Sequence, residues 1–246
     1  MGRLTAWRVA TIRETRIEAP GVRTLVLDVP GWPGHLAGQH VDVRLTAEDG
    51  YQAQRSYSIA SAPSDARVEI TVERLHDGEV SPYLVDELRP GDELELRGPV
   101  GGYFVWQDSP GGPLLLIAGG SGIVPFRSML RHHRSIHSTV PVRTLYSVRT
   151  PEDLVYRQEL MRMATSDEID ISLTFTRTQP PGWNGYGRRI DHEMLTETGW
   201  SPDAEPLTYI CGPTAFVEAA AELLVGIGHD PARVRTERFG GIGENP

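Results

Sequence analysis

RSYSIAS, residues 55–61, is the stretch on which the reading of this chain turns. Tyr57 and Ile59 give it the aromatic and β-branched bias of a half-buried strand. The positions around them carry Arg55, Ser56 and Ser58, for which a plain packing strand has little use. Arg55 and Tyr57 stand two residues apart, so a strand turns both to one face, about 7 Å apart along it. Such a pair can hold an anion and a flat ring together, guanidinium on phosphate and phenol against a heterocycle. Four residues also recur by chance, as a surface strand with a stray arginine. The flanking sequence decides between the two.

Outward from this stretch, residues 5–98 read as short strands. WRVATIRET, RTLVLDV, HVDVRLT, RVEITVERL and DELELRG join RSYSIAS, separated by PG, DG, SD and PGD turn signals. Six antiparallel strands of this length predict a small closed barrel. One helix interrupts them, VSPYLVDEL at 80–88, entered through Asp77-Gly78-Glu79. Gly78 permits a positive φ and Ser81 can cap, which would leave backbone N–H groups of the Gly78-Glu79-Val80-Ser81 turn open to a phosphate. A plain capped helix is the alternative. GPVGGYF at 98–104 closes the barrel, and DSPGGP at 108–113 is a polar linker. The expected boundary falls there, giving domains 1–108 and 109–246.

Past the linker the rhythm changes to strand–helix alternation. LLLIA at 114–118 is apolar without alternation, as a parallel strand buried on both faces requires. GGSGIVP follows, then a helix with Phe126, Met129 and Leu130 inward and the RHHR run outward. VRTLYSV, IDISLTFTR, LTYICGP and RVRTERF supply four more strands. Thr150-Pro151-Glu152-Asp153, Asp191 and the TAFVEAAAELLVGIG run mark the helices between them. The prediction is a doubly wound five-stranded parallel sheet of order 3-2-1-4-5.

Composition sets outer limits. The chain has 246 residues, 39% hydrophobic and 23% charged, enough for two domains. A net charge of −9, with all 24 basic residues arginine, argues against general nucleic-acid binding. No apolar run approaches the ~18 residues of a membrane helix. The N-terminal residues lack an apolar signal core, so a cytoplasmic location is expected. One cysteine, Cys211, excludes an internal disulfide and a four-cysteine iron–sulfur cluster within this sequence. The eight histidines show no metal-binding spacing and read as solvated surface. No serine-nucleophile motif is present.

In an open parallel sheet, ligands bind beyond the carboxyl ends of the strands, where the order reverses. Two glycine-bearing turns fall at such ends: Gly119-Gly120-Ser121-Gly122 after the first strand and Cys211-Gly212-Pro213 after the fourth. The first lacks GxGxxG spacing and reads GGxGxxP. With RxYS, the Gly–x–Val–Ser turn, GGxGxxP, CGP and a terminal Glu-x-aromatic, the chain resembles the ferredoxin–NADP(H) reductase-like flavoproteins in their two-domain form, without a fused ferredoxin.

The resemblance implies an enzyme that takes hydride from NADPH onto FAD and passes single electrons to a separate iron–sulfur or other one-electron acceptor protein. Arg55 and Ser56 would lie on the flavin strand with Arg55 at the pyrophosphate, Tyr57 against the isoalloxazine and Ser58 at its N5 edge. Val80 and Ser81 would donate main-chain bonds to phosphate. Gly120, Ser121, Gly122, Gly212 and Pro213 would receive the nicotinamide nucleotide, with Cys211 near its reactive carbon. Glu237 and Phe239 match the terminal acid and stacking aromatic, although GGIGENP continues beyond Phe239. Ser58, Cys211 and Glu237 are the expected catalytic set. NADPH is expected over NADH, because Arg149 and Arg177 end the second and third strands where an acid would grip a ribose diol. Docking of an acidic partner is expected on Arg127, Arg131 and Arg134, or on Arg233, Arg235 and Arg238. The rival readings are a free-flavin or ferric-chelate reductase and a redox-silent nucleotide-binding module. The loop Trp183–Gly187 would cover the adenosine or be merely structural.

Overall fold

The computed structural model describes residues 6–108, 111–165 and 169–239. All six N-terminal strands form: β1 (Arg8–Ala19), β2 (Val22–Asp28), β3 (His40–Thr46), β4 (Gln52–Ser58), β5 (Val68–Glu73) and β6 (Glu93–Val100). They make one antiparallel sheet of order β4-β3-β6-β1-β2-β5. Its two edges meet at a single bridge, Ile59 with Ile70, and the Ala60 N–H donates to the Glu69 carbonyl at 2.7 Å beside it. The closed interior is aliphatic, with Ile12, Leu25, Leu27, Val41, Val43, Ile59, Ile70 and Leu96 all fully buried.

The expected helix at 80–88 is shorter and wider than an α-helix. It starts at Ser81, and Tyr83–Glu87 is a π-helical turn closed by the Leu88 N–H on the Tyr83 carbonyl at 3.3 Å. Val80, Leu84, Val85 and Leu88 sink into the barrel core. Burying those four chains holds a segment too short to be stable by propensity alone.

Five further strands follow: β7 (Leu114–Gly119), β8 (Val142–Val148), β9 (Asp170–Phe175), β10 (Leu207–Pro213) and β11 (Val234–Phe239). Their order is β11-β10-β7-β8-β9, parallel throughout, which is 3-2-1-4-5 when counted within the sheet. The helices are α1 (Ile123–Ser135), α2 (Arg157–Thr165), α3 (His192–Thr198) and α4 (Thr214–Ile227). The Asp191 carboxylate caps α3 by accepting the Met194 N–H at 2.9 Å. α4 ends on Gly228 at φ +109°, the left-handed C-cap that glycine supplies.

The compact units are not simply sequential. Residues up to Gln107 group with Val124–His137, and Asp108–Ile123 groups with the chain from Ser138 onward. Most of α1 thus belongs to the barrel unit, for a reason its outward-facing reading missed. Arg127 is 2% exposed and reaches Glu69 of β5 at 2.6 Å. Arg16 of β1 bonds the other oxygen of the same carboxylate. Arg131 lies 3.1 Å from Asp65 and 3.6 Å from Glu69. Ser128 donates to the Ser61 carbonyl at 2.6 Å, and His133 is buried against Trp106 with ring centroids 5.7 Å apart. The expected docking patch on α1 is therefore corrected: Arg127 and Arg131 are spent on internal acids. In the second expected patch, Arg233 donates to the Gly111 and Glu205 carbonyls and Arg235 to the Tyr209 hydroxyl.

Burial pushes the Glu69 carboxyl up, but Arg127, Arg16 and Arg131 outweigh it and hold it below the usual carboxylate range. Its folded value lies below its unfolded one. The stabilisation is therefore complete above the unfolded value and lost as pH falls through the folded value. Glu69→Gln should lower the unfolding free energy by about 2–4 kcal/mol at neutral pH, chiefly by stranding the buried Arg127 guanidinium. Urea titrations taken down through pH ~4 should show that gap shrinking. A gap constant with pH would deny the carboxylate this role.

Candidate functional site

The register of β4 sets the first half of the site. Arg55 lies opposite Val43 and Tyr57 opposite Val41, so both share the face of the core valines. Tyr57 packs against that core, and burial drives its phenol pKa up, opposed by the Arg55 charge. The Arg55 side chain stays 54% exposed, since β4 is an edge of the ladder. Its guanidinium donates to the Gln54 carbonyl at 2.7 Å and to Glu79 at 2.9 Å. The Tyr51 hydroxyl donates to the other Glu79 oxygen at 2.7 Å.

Two details of the neighbouring turn correct the sequence reading. Gly78 is outside the left-handed region; it is glycine because a Cβ would stand 2.7 Å from the Ser81 Oγ. Ser81 does not cap the helix. Its hydroxyl accepts the Leu75 N–H at 3.0 Å, tying the turn back to the end of β5. Val80 and Ser81 can thus contribute main-chain groups, but the Ser81 hydroxyl has a structural partner.

Ser56 and Ser58 point to the opposite face. The Ser56 hydroxyl donates to Asp42 at 2.6 Å, and Asp42 pairs with Arg97 at 2.7 Å, so this side chain belongs to the barrel framework. Ser58 stands directly opposite His40 of β3. Burial lowers the His40 pKa against the pull of Asp42, which keeps the imidazole neutral. Gly101, at φ +96°, lies close over this ring; a Cβ there would be 3.3 Å from Nδ1. His40 was missed in the sequence. No motif marks it, and only the pairing of β3 with β4 brings it beside Ser58.

The second half lies at the carboxyl ends of the parallel strands. A Cβ on Gly122 would sit 2.0 Å from the Cys211 carbonyl oxygen, and Cβ atoms on Gly119 or Gly212 would strike Phe216. Those three glycines are required by close packing of turn, strand and helix. Gly120 differs: it sits at φ +55°, and a Cβ there would meet nothing within 4 Å. No side chain caps the Gly120–Gly122 turn. The space beside the Gly120 Cα is open, as the close approach of a phosphate would require.

Cys211 is 2% exposed between Ala118 and Glu237 on the flanking strands. Burial first, and then the Glu237 charge, push its thiol pKa well up, so it is a neutral thiol rather than a nucleophile. Phe239 ends β11 opposite Pro213. The tail after Phe239 lies outside the described residues. Arg149 and Arg177, both exposed, end neighbouring strands, where the Arg177 N–H donates to the Arg149 carbonyl at 2.9 Å. The Trp183–Gly187 loop is held by its own contacts: Trp183 meets Phe175 edge-on at 4.8 Å and donates to the Tyr186 carbonyl at 3.0 Å. Within the expected catalytic set, Cys211 and Glu237 are strand neighbours, while Ser58 belongs to the barrel unit.

An oxidoreductase FAD-binding domain matches residues 10–105, and an oxidoreductase NAD-binding domain matches residues 116–222. Ferredoxin–NADP reductase B of Sorangium cellulosum is 36% identical over 209 residues, 82% of this chain and 84% of that protein. The chain belongs to the ferredoxin–NADP(H) reductase-like family. The glycine betaine monooxygenase reductase subunit of Pseudomonas aeruginosa is also 36% identical, over 207 residues. That match covers 82% of this chain but 56% of the relative, so the chain spans little more than half the length of such curated relatives. Among solved structures of the family, a Neisseria gonorrhoeae ferredoxin NADP+ reductase with bound FAD and NADP shares the fold with a TM-score of 0.82. It is 22% identical, and the match covers 94% of this chain and 98% of that one.

The glycines of the Gly119–Gly122 turn should respond differently to one methyl group. Gly120→Ala should cost about 1–2 kcal/mol of backbone strain and leave the sheet intact. Gly122→Ala, driven into the Cys211 carbonyl, should cost more and lower the melting temperature further. Equal losses in thermal unfolding of the two variants would remove the distinction.

Proposed function

We propose that this chain is a reductase that oxidises NADPH with FAD as carrier and delivers single electrons to a separate protein of the ferredoxin type. The observation that carries the proposal is the similarity to ferredoxin–NADP reductase B over four-fifths of both chains. The residues present fit the two groups. Arg55 offers an exposed guanidinium beside the half-buried Tyr57 ring, and the Gly120 turn offers open backbone. FAD, when bound, supplies the conversion of a two-electron donor into one-electron steps.

In this reading Arg55 binds phosphate, Tyr57 packs on a ring, and Val80 and Ser81 add main-chain donors. The Gly120–Gly122 turn and Gly212-Pro213 receive the nicotinamide nucleotide. Cys211 would border the nicotinamide with a small, neutral, polarizable sulfur. Ser58 can pass a proton at its hydroxyl, with the neutral His40 imidazole beside it as the group that takes or returns that proton. Glu237 adds a negative charge next to Cys211. These 246 residues contain one cysteine, so an iron–sulfur acceptor lies outside them. A cytoplasmic location is part of the same proposal, since that compartment supplies reduced nicotinamide nucleotide. Among the described residues, no helix is long and apolar enough to cross a membrane.

Arg55→Ala should bind FAD about ten- to a hundredfold more weakly, as expected when a charge-assisted contact of ~1.5–3 kcal/mol is lost. Unchanged FAD content would reject Arg55 as the phosphate contact, and a wild-type chain whose flavin is not bleached by NADPH would reject the activity. For nucleotide choice, Arg177→Ala should raise the NADPH KM about tenfold and spare NADH, through loss of a phosphate contact. Equal rises in steady-state assays with the two nucleotides would leave Arg177 a solvated strand end.

A further inference from the structure

We propose that Glu79 is an internal competitor for the flavin phosphate: its carboxylate occupies Arg55 and sets the affinity of this chain for FAD below what the Arg55 strand would otherwise give. The proposal rests on the reading of Arg55 as a flavin-phosphate contact.

The Glu79 carboxylate is fixed at both oxygens. One accepts the Tyr51 hydroxyl at 2.7 Å and the other accepts Arg55 Nη2 at 2.9 Å. The hydrogen bond from Tyr51, followed by the Arg55 charge, holds Glu79 below its ordinary carboxylate range, so it is ionised at neutral pH. Arg55 does not need this partner for its orientation, because its Nη1 already donates to the Gln54 carbonyl of its own strand at 2.7 Å. What Glu79 adds is negative charge at a guanidinium nitrogen that a phosphate oxygen would use.

Both side chains are about half exposed, at 54% for Arg55 and 49% for Glu79. An ion pair in that setting is weak, so a phosphate can displace it. The displaced carboxylate does not leave the neighbourhood. It belongs to the Gly78–Ser81 turn, and that turn is tied back to Leu75 through Ser81 and packed through the buried Val80. A phosphate on Arg55 therefore has a like charge held beside it. Such repulsion weakens binding and is screened by salt.

The test is FAD titration of the full-length apoprotein, followed by flavin fluorescence. Glu79→Gln keeps the shape and removes the charge, and at low ionic strength it should bind FAD about three- to tenfold more tightly than wild type. The gap should narrow as salt is raised to about 1 M. Tyr51→Phe, which releases one end of the carboxylate, should shift affinity in the same direction by less. An equal or weaker FAD affinity for Glu79→Gln would overturn the proposal, as would a gap that salt does not change. Arg55→Ala separates the two levels of inference. If it binds FAD like wild type, the underlying reading of Arg55 fails. If it binds weakly while Glu79→Gln gains nothing, only the competition fails.

Discussion

The pairing of Ile59 with Ile70 is the constraint from which the flavin-side architecture follows. It closes the barrel at one point and pins the end of β4 into the core. Side chains on a strand alternate, so burying Ile59 forces Tyr57 and Arg55 to the same face and Ser58 and Ser56 to the other. A slip of one residue would exchange the two sets. Because the bridge is single, β4 remains an edge on that side, and a guanidinium can stand on the core-facing side of a strand without being buried. An aliphatic contact thus decides which polar groups are presented and which are used as framework.

In the parallel sheet, the corresponding constraint is backbone proximity. Gly122 approaches the Cys211 carbonyl so closely that no side chain fits, and Gly119 and Gly212 make room for Phe216. These glycines shape the turn without any ligand having to be invoked. Of these four glycines, Gly120 is the one that combines a left-handed backbone with open space. One short motif therefore contains two kinds of glycine, and only their surroundings tell them apart. Cys211 is enclosed by the same packing, which raises its pKa and removes it from thiolate chemistry.

Charge shows how far local context can redirect a residue. The arginines of α1 look like a solvated or docking surface in a chain of net charge −9. Glu69 and Asp65, about sixty residues earlier, claim two of them. A largely buried carboxylate shared by three guanidinium groups is costly to desolvate, and its geometry fixes α1 against β5 and β1. Helical periodicity could not disclose this, since the partners come from other elements.

The sequence by itself determined the strands, the six-plus-five division, the parallel sheet order and the family. These follow from local signals: alternation, apolar runs, capping residues, and short motifs whose spacing is fixed along the chain. It also singled out Arg55 and Tyr57 on one face of one strand, and the Gly120 turn and Cys211 on two others, as candidate site residues. Tertiary structure alone decided the partners. It gave Ser56 to Asp42, the Ser81 hydroxyl to Leu75, Glu79 to Arg55 and Tyr51, and Arg127 to Glu69. It set His40 opposite Ser58, eighteen residues away. The physical reason is range. Backbone propensity and capping act over a few residues and leave a mark in sequence order. Side-chain hydrogen bonds and ion pairs act over a few ångströms between segments that only register and packing bring together.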